Sequence, residues 1–246
     1  MDSKYFPVPS QKVIESLMAS LSFDDWNAIW ISIQVAFCAA TVCLPPAIGL
    51  AWWLARTPWK GRWLVETLVN LPLVLPPVVT GFLLLVLFSP KGWMGYPLQH
   101  FLGIRVVLTW YAAALAAAIV SFPLAIRPIQ LAFQQADRNL EDTARTLGAG
   151  PWATFFHVSL PLARPGMAAG WLLALARSLG EFGATIMVAG NIAGQTRTIP
   201  LAVYSHVNSP DGLRHAWPLV GVSILLSCLA LLVGQWMERK HGGRQP

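Results

Sequence analysis

Arg177 and Glu181 are the full charges placed near the middle of a long apolar stretch, residues 166–189. Four positions apart, they share one side of a helix and can pair there. Charge inside a bilayer is costly, and such side chains generally face a bundle interior or an aqueous route. Two readings follow: groups bordering a solute pathway, or an ion pair bracing two helices. Pro72, Pro76 and Pro77, with Asn70 and Thr80 close by, make a second polar feature inside an apolar stretch. A helix broken there turns freed carbonyls toward a pathway, as broken helices do in transporters, or simply kinks to improve packing.

Other chemistries are poorly served by this sequence. No G-x-x-x-x-G-K-[ST] phosphate loop is present, so ATP must be bound elsewhere if it is used. His100, His157, His206, His215 and His241 are scattered without ligand spacing. Cys38, Cys43 and Cys228 lie in apolar stretches, with neither a disulfide framework nor a zinc pattern. No nucleophile or paired-carboxylate set suggests hydrolysis within this chain. The net charge of +6 is dispersed between apolar segments, unlike a nucleic-acid-binding patch.

The elements that hold these residues are membrane helices. Hydrophobic residues make up 55% of the 246, charged ones 11%, and mean hydropathy is +0.55, against roughly 25% charge in soluble domains. Apolar stretches of about 20 residues recur at 26–55, 64–88, 106–126, 166–189 and 219–237. They predict one all-α bundle of about five spans. Ser22, Asp24 or Asp25 can cap the first, which Pro45 and Pro46 should kink. Alanines in the third suit close helix packing. Trp52, Trp53, Trp59 and Trp63 flank the first inner loop as an aromatic belt would. The first residues do not form a secretory signal, because Asp2 and Glu15 interrupt them. No internal repeat or low-complexity tract stands out.

Placement of Lys and Arg orients the bundle. With the N-terminus outside, inner segments hold Arg56, Lys60, Arg62, Arg127, Arg138, Arg145, Arg164, Arg239, Lys240 and Arg244. Outer segments hold Lys4, Lys12, Lys91, Arg105, Arg197 and Arg214 over a greater length. The expected divisions are an extracytoplasmic segment 1–25, a transmembrane domain 26–237 and a cytoplasmic tail 238–246. Outside, 190–217 is the longest loop; 199–207 suits a short helix over the entrance, touching a substrate-binding protein, or else part of an ordinary ordered loop. Ser209-Pro210-Asp211-Gly212 reads as a turn.

This orientation makes 127–165 the main cytoplasmic segment, and its composition predicts helix, glycine-rich turn, helix along the membrane face. It resembles the loop shared by permease subunits of bacterial ABC importers: EAA, three residues, Gly, nine residues, Ile, one residue, Leu-Pro. Asp142, Thr143 and Ala144 fall on EAA, Gly148 on the glycine, Val158 on the isoleucine, and Leu160-Pro161 on the last pair, with Glu141 just upstream. Asp for Glu and Thr for Ala are departures that keep an acid at the helix start. A short helix with small residues can dock in a partner's groove and move as a lever.

The strings RSLGEFGATIMVAGNIAGQTRTIPLAVYS, LPLVLPPVVTGFLLL and SFPLAIRPIQLAF are similar to the molybdate permease subunits of those importers; sulfate permeases share RSLGEFGA. The resemblance implies a type I, MetI-like fold, with loop 134–165 coupling to separate subunits through Glu141, Asp142, Thr143, Ala144, Gly148, Val158, Leu160 and Pro161. It implies a homodimer enclosing the path and two ATP-binding subunits that hold ATP and Mg²⁺, with no cofactor or metal in this chain. An extracytoplasmic binding protein would deliver the oxyanion across a bacterial inner membrane, and no nucleic acid would be involved. Arg177, Ser178, Gly180, Glu181, Gly183 and Thr185, with Asn70, Pro76, Pro77 and Thr80, would border the route of a tetrahedral dianion. Sulfate, thiosulfate and tungstate are the alternative cargoes; a passive channel or scaffold is the alternative class.

Overall fold

The computed structural model describes residues 21–210 and 212–242, the backbone alone for 235–242. Among them every regular element is helical. In chain order these are α1 Phe23–Arg56, α2 Arg62–Val74, α3 Pro77–Phe88, α4 Gly95–Leu102, α5 Trp110–Gln135 and α6 Arg138–Thr146. They continue with α7 Pro151–Leu162, α8 Arg164–Leu179, α9 Gly183–Ala189, α10 Ile199–Val207 and α11 Gly212–Gly242.

Three helices, α1, α5 and α11, are long and apolar enough to cross a bilayer, and two bent pairs raise the number to five. Ser22 starts α1: its hydroxyl accepts from the Asp25 amide, and Asp25 accepts back from the Ser22 amide, satisfying two end donors at once. Helix α1 therefore begins inside the expected 1–25 segment. Helix α11 likewise runs on to Gly242, past residue 237. Residues 1–20 and 243–246, which hold most of the expected terminal segments, lie outside the described residues.

The bundle centre is built from small residues. Ala36, Ala39, Ala40, Ala47 and Ala51 of α1 are fully buried, as are Ala112, Ala113, Ala116 and Ala117 of α5. Lipid tails are as apolar as leucine, so helices associate in membranes through close packing. Helix α8 joins at the same range: a Cβ on Gly170 would lie 2.5 Å from the Ala125 carbonyl, and one on Gly166 2.5 Å from that of Pro128.

Residues 64–88 are not one continuous helix. Helices α2 and α3 meet at 107°. Pro76 and Pro77 supply no amide for the Pro72 and Leu73 carbonyls, and a residue before proline is pushed out of the α region. Leu75 and Pro76 are accordingly extended, with ψ of 142° and 131°. Residues 166–189 also divide, into α8 and α9, at Gly180–Phe182. Trp52, expected in an aromatic belt, instead turns inward, its ring 5.1 Å from that of Phe155.

Candidate functional site

The two breaks meet. Helix α3 packs along α9: a Cβ on Gly81 would sit 2.6 Å from the Ala184 carbonyl, and one on Gly183 2.9 Å from the Pro77 side chain. Both therefore remain glycine because another helix's atoms occupy the space. Glu181 lies beyond the end of α8, so a shared helix face is not what joins it to Arg177. The chain tightens after Ser178, whose carbonyl accepts from the Glu181 amide, and the carboxylate folds back to meet Arg177 Nη1 at 2.9 Å. Its other oxygen accepts from the Ala184 amide at 2.8 Å. Arg177 thus sits at the negative end of α8 and Glu181 at the positive end of α9, each favoured by a helix dipole.

The remaining polar groups are divided by burial. Ser178 is buried and donates to Ser121 Oγ, 3.3 Å away; Thr185 is buried and donates to the Glu181 carbonyl. Thr80 is buried with its hydroxyl unpartnered. Gly180 and Pro76 are exposed, while Arg177, Asn70 and Pro77 are half-buried. Nearby runs a polar chain on α2 and α5. Glu66 accepts from Arg62 Nε and Gln130 Nε2, and Asn70 accepts from Arg127 Nη2 at 3.0 Å. Glu66 and Asn70 are four apart on α2, a spacing visible in the sequence; Gln130 carried no signal of its own, and Arg127 only that of an inner-segment charge.

The second constellation is the α6–α7 segment. Asp137 caps α6, accepting from the Asn139 amide. Gly148 ends it at φ +90°, a left-handed conformation that glycine adopts readily. Pro151 opens α7 where no amide is needed, and a π-turn over Phe155–Ser159 precedes Pro161. The two acids at the start of α6 part company. Glu141 turns inward, its side chain 7% exposed, taking hydrogen bonds from Arg56 Nη2 at 2.5 Å and Ser159 Oγ at 2.8 Å. Asp142 points out, 70% exposed. Thr143 and Gly148 are exposed beside it, Ala144, Val158, Leu160 and Pro161 half-buried. Leu147 at 83% and Trp152 at 76% leave apolar surface open, with Trp152 stacked on exposed Phe156 at 6.3 Å. Among the described residues no His, Cys, Asp or Glu group is disposed to hold a metal.

Residues 47–240 match the family described as binding-protein-dependent transport system inner membrane component. The chain belongs to that family. It is 46% identical over 219 residues to a molybdenum transport system permease protein of Escherichia coli, covering 89% of this chain and 96% of that one. A molybdenum transport system permease protein of Haemophilus influenzae is 44% identical over 214 residues, 87% of this chain and 93% of the relative. Among solved structures, a bacterial ABC transporter for the import of alginate superposes with a TM-score of 0.70 at 17% identity, covering 98% of this chain and 86% of that one. The fold is thus that of an ABC importer's membrane component.

At the other face of this permease, α10 occupies the stretch expected to be a short helix. It lies on α1 and α11, burying Ile199, Leu201 and Ala202. Ser32 of α1 accepts from the Ile199 amide at 2.7 Å, and His206 pairs with Asp25 at 2.8 Å. Tyr204 and Val207 stay exposed. The Asp25–His206 contact spans 181 positions and has no local signature.

Proposed function

We propose that two copies of this chain enclose the pathway of an ATP-driven importer for molybdate. Separate subunits bind ATP with Mg²⁺, and an extracytoplasmic protein delivers the oxyanion. The observation that carries the cargo is the 46% identity, spread over 89% of the chain, to a protein named for molybdenum transport. Placement of Lys and Arg supports a bacterial inner-membrane orientation with N-terminus out and C-terminus in.

Physical chemistry supports the second copy. Pro76 and Gly180 leave irregular backbone exposed on the single chain, and such backbone at membrane depth is tolerated only against protein or water. A partner copy across that face meets the requirement and bounds an aqueous route between the breaks. Arg177, Gly180, Asn70 and Pro76 reach that face; Ser178, Glu181, Gly183, Thr185 and Thr80 support it from behind, with Pro77 at the hinge. A guanidinium already held by Glu181 offers an anion only partial attraction, which suits passage, since conduction needs binding weak enough to release.

Coupling falls to α6 and α7. Asp142, Thr143 and the exposed Leu147 and Trp152 present a small polar-and-apolar surface to the ATP-binding subunit. Ala144, Gly148, Val158, Leu160 and Pro161 keep the lever's shape, and Glu141 fixes it to the bundle. The deciding experiment reconstitutes the chain with its ATP-binding subunit and binding protein and titrates oxyanions. Molybdate should stimulate ATP hydrolysis and uptake. Stimulation by sulfate alone would move the cargo to sulfate, and uptake without ATP would make the protein a channel.

A further inference from the structure

Helix α1 is pinned at both ends, to the α6–α7 segment at one and to α10 at the other. At the inner end, the backbone of α6 and α7 does not pack extensively on any membrane helix except where α7 joins α8. Side chains bridge the gap: Arg56 to Glu141, Arg138 Nη2 to the Ala55 carbonyl at 3.5 Å, and Trp52 to Phe155. These three anchors lie on the last turn and a half of α1, residues 52–56; Phe155 also stacks on buried Phe133 of α5, ring centroids 6.4 Å apart. Arg56 Nε and Nη1 are buried without partners, so Glu141 is what holds the guanidinium. At the outer end, Asp25 pairs with His206, Ser32 takes the Ile199 amide, and Ala28 and Ile29 pack on Ile199 and Ala202 of α10.

Between the pins α1 is one helix of 34 residues, about 51 Å long. Its alanine face is buried along its length, and the helix continues through Pro45 and Pro46 without a break. Removing Glu141 would leave the Arg56 guanidinium an uncompensated buried charge, and removing the His206 imidazole would take a hydrogen-bond partner from buried Asp25, so each pin ties its end of α1 to one arrangement of the segment beyond it.

We infer that α1 is the rod that carries the binding-protein signal from α10 to the ATP-driven lever, with Asp25–His206 and Arg56–Glu141 as positioning pairs at its ends. The inference rests on the importer reading above. Signal reaching the lever only through the chain, from α5 into α6 or through Ala163 into α8, would make both pairs dispensable.

The test uses the whole complex in lipid, with ATP-binding subunit and binding protein. It reads the ratio of ATP hydrolysis with molybdate-loaded binding protein to that without. A wild-type ratio of one would sink the importer reading rather than the rod. Glu141→Gln should cut the stimulation at least fivefold, and His206→Gln should do the same from the opposite face. The double variant should be no worse than the poorer single, because both interrupt one route. Undiminished stimulation in either single, or losses that multiply in the double, overturns the rod. Should Glu141→Gln not assemble, Ser159→Ala decides: it removes only the hydroxyl donated to Glu141, a measurable loss of stimulation is expected, and no change refutes the inner pin.

Discussion

Adding one methyl group at Gly81 tests the meeting of the two breaks. The new Cβ would stand 2.6 Å from the Ala184 carbonyl oxygen, 2.7 Å from its Cα and 2.9 Å from Met187 Cβ. Two of these are backbone atoms, so no side-chain rotation relieves the contact. Ordinary contact begins near 3.4 Å, so α9 must withdraw by about 0.8 Å in a close-packed interior. Helix α9 also packs on α5, and Gly183 already lies against Pro77. Overpacking of this kind costs about 1–3 kcal/mol. At about 2–4 °C per kcal/mol for a chain of this size, Gly81→Ala should lower the melting temperature by about 2–12 °C and reduce uptake with it. Gly49→Ala is the control: it lies inside α1 with nothing within 4 Å of the added atom and gains about 1 kcal/mol in helix propensity. Thermal unfolding in one detergent compares the two. Gly81→Ala melting with wild type would refute the close approach of α3 and α9, and with it the rigid junction of the breaks.

Glu181→Gln keeps the hydrogen bond to the Ala184 amide but ends the ion pair with half-buried Arg177. It should cost about 1–3 kcal/mol, between the exposed and buried limits, measured by unfolding. Adding Arg177→Gln should restore stability; uptake that recovers too makes the pair a brace, and uptake that stays low places Arg177 on the route. Gly148→Val meets no atom but must adopt φ +90°, a strain of about 1–2 kcal/mol; uptake per ATP hydrolysed should fall in an assembled complex, and an unchanged ratio would remove the turn from the lever. Leu147→Ser with Trp152→Ala should move stability within about 0.5 kcal/mol yet weaken binding of the ATP-binding subunit tenfold or more, as loss of aromatic anchors does; wild-type affinity would show that the subunit docks elsewhere.

Periodicity and hydropathy made the long helices legible, because α1, α5 and α11 each bury or expose about 20 apolar residues without interruption. The breaks were harder to read. Three prolines announced a disturbance between α2 and α3, but its size, 107°, depends on Leu75 and Pro76 both being extended, and a kink needs only one missing hydrogen bond. Gly180 and Gly183 were visible as small residues, yet glycine serves close packing and chain reversal alike. Only α3 crowding against Gly183 shows which use operates at that position. The pairing of Arg177 with Glu181 was legible for the wrong physical reason: residues four apart meet on a continuous helix, and they also meet where a helix ends and one tight turn folds back.

The lever marks the boundary between what local pattern can encode and what it cannot. Composition and the motif resemblance located α6, the Gly148 turn and α7, and the Asp137 cap, positive φ at Gly148 and Pro151 at a first helical position that build them are all properties of neighbouring residues. Adjacent acids Glu141 and Asp142 look interchangeable by those rules. They differ because one step along a helix rotates a side chain by about 100°, and that rotation turns Glu141 to Arg56, 85 positions away, and Asp142 to solvent. A partner so remote leaves no trace in a short window. The same holds for Asp25 and His206, where a capping box accounts for the aspartate fully until the second helix arrives. At both ends of α1 the contact that would make a membrane span a transmission element is tertiary, and neither Arg56 nor Asp25 has a neighbour in sequence that reveals it.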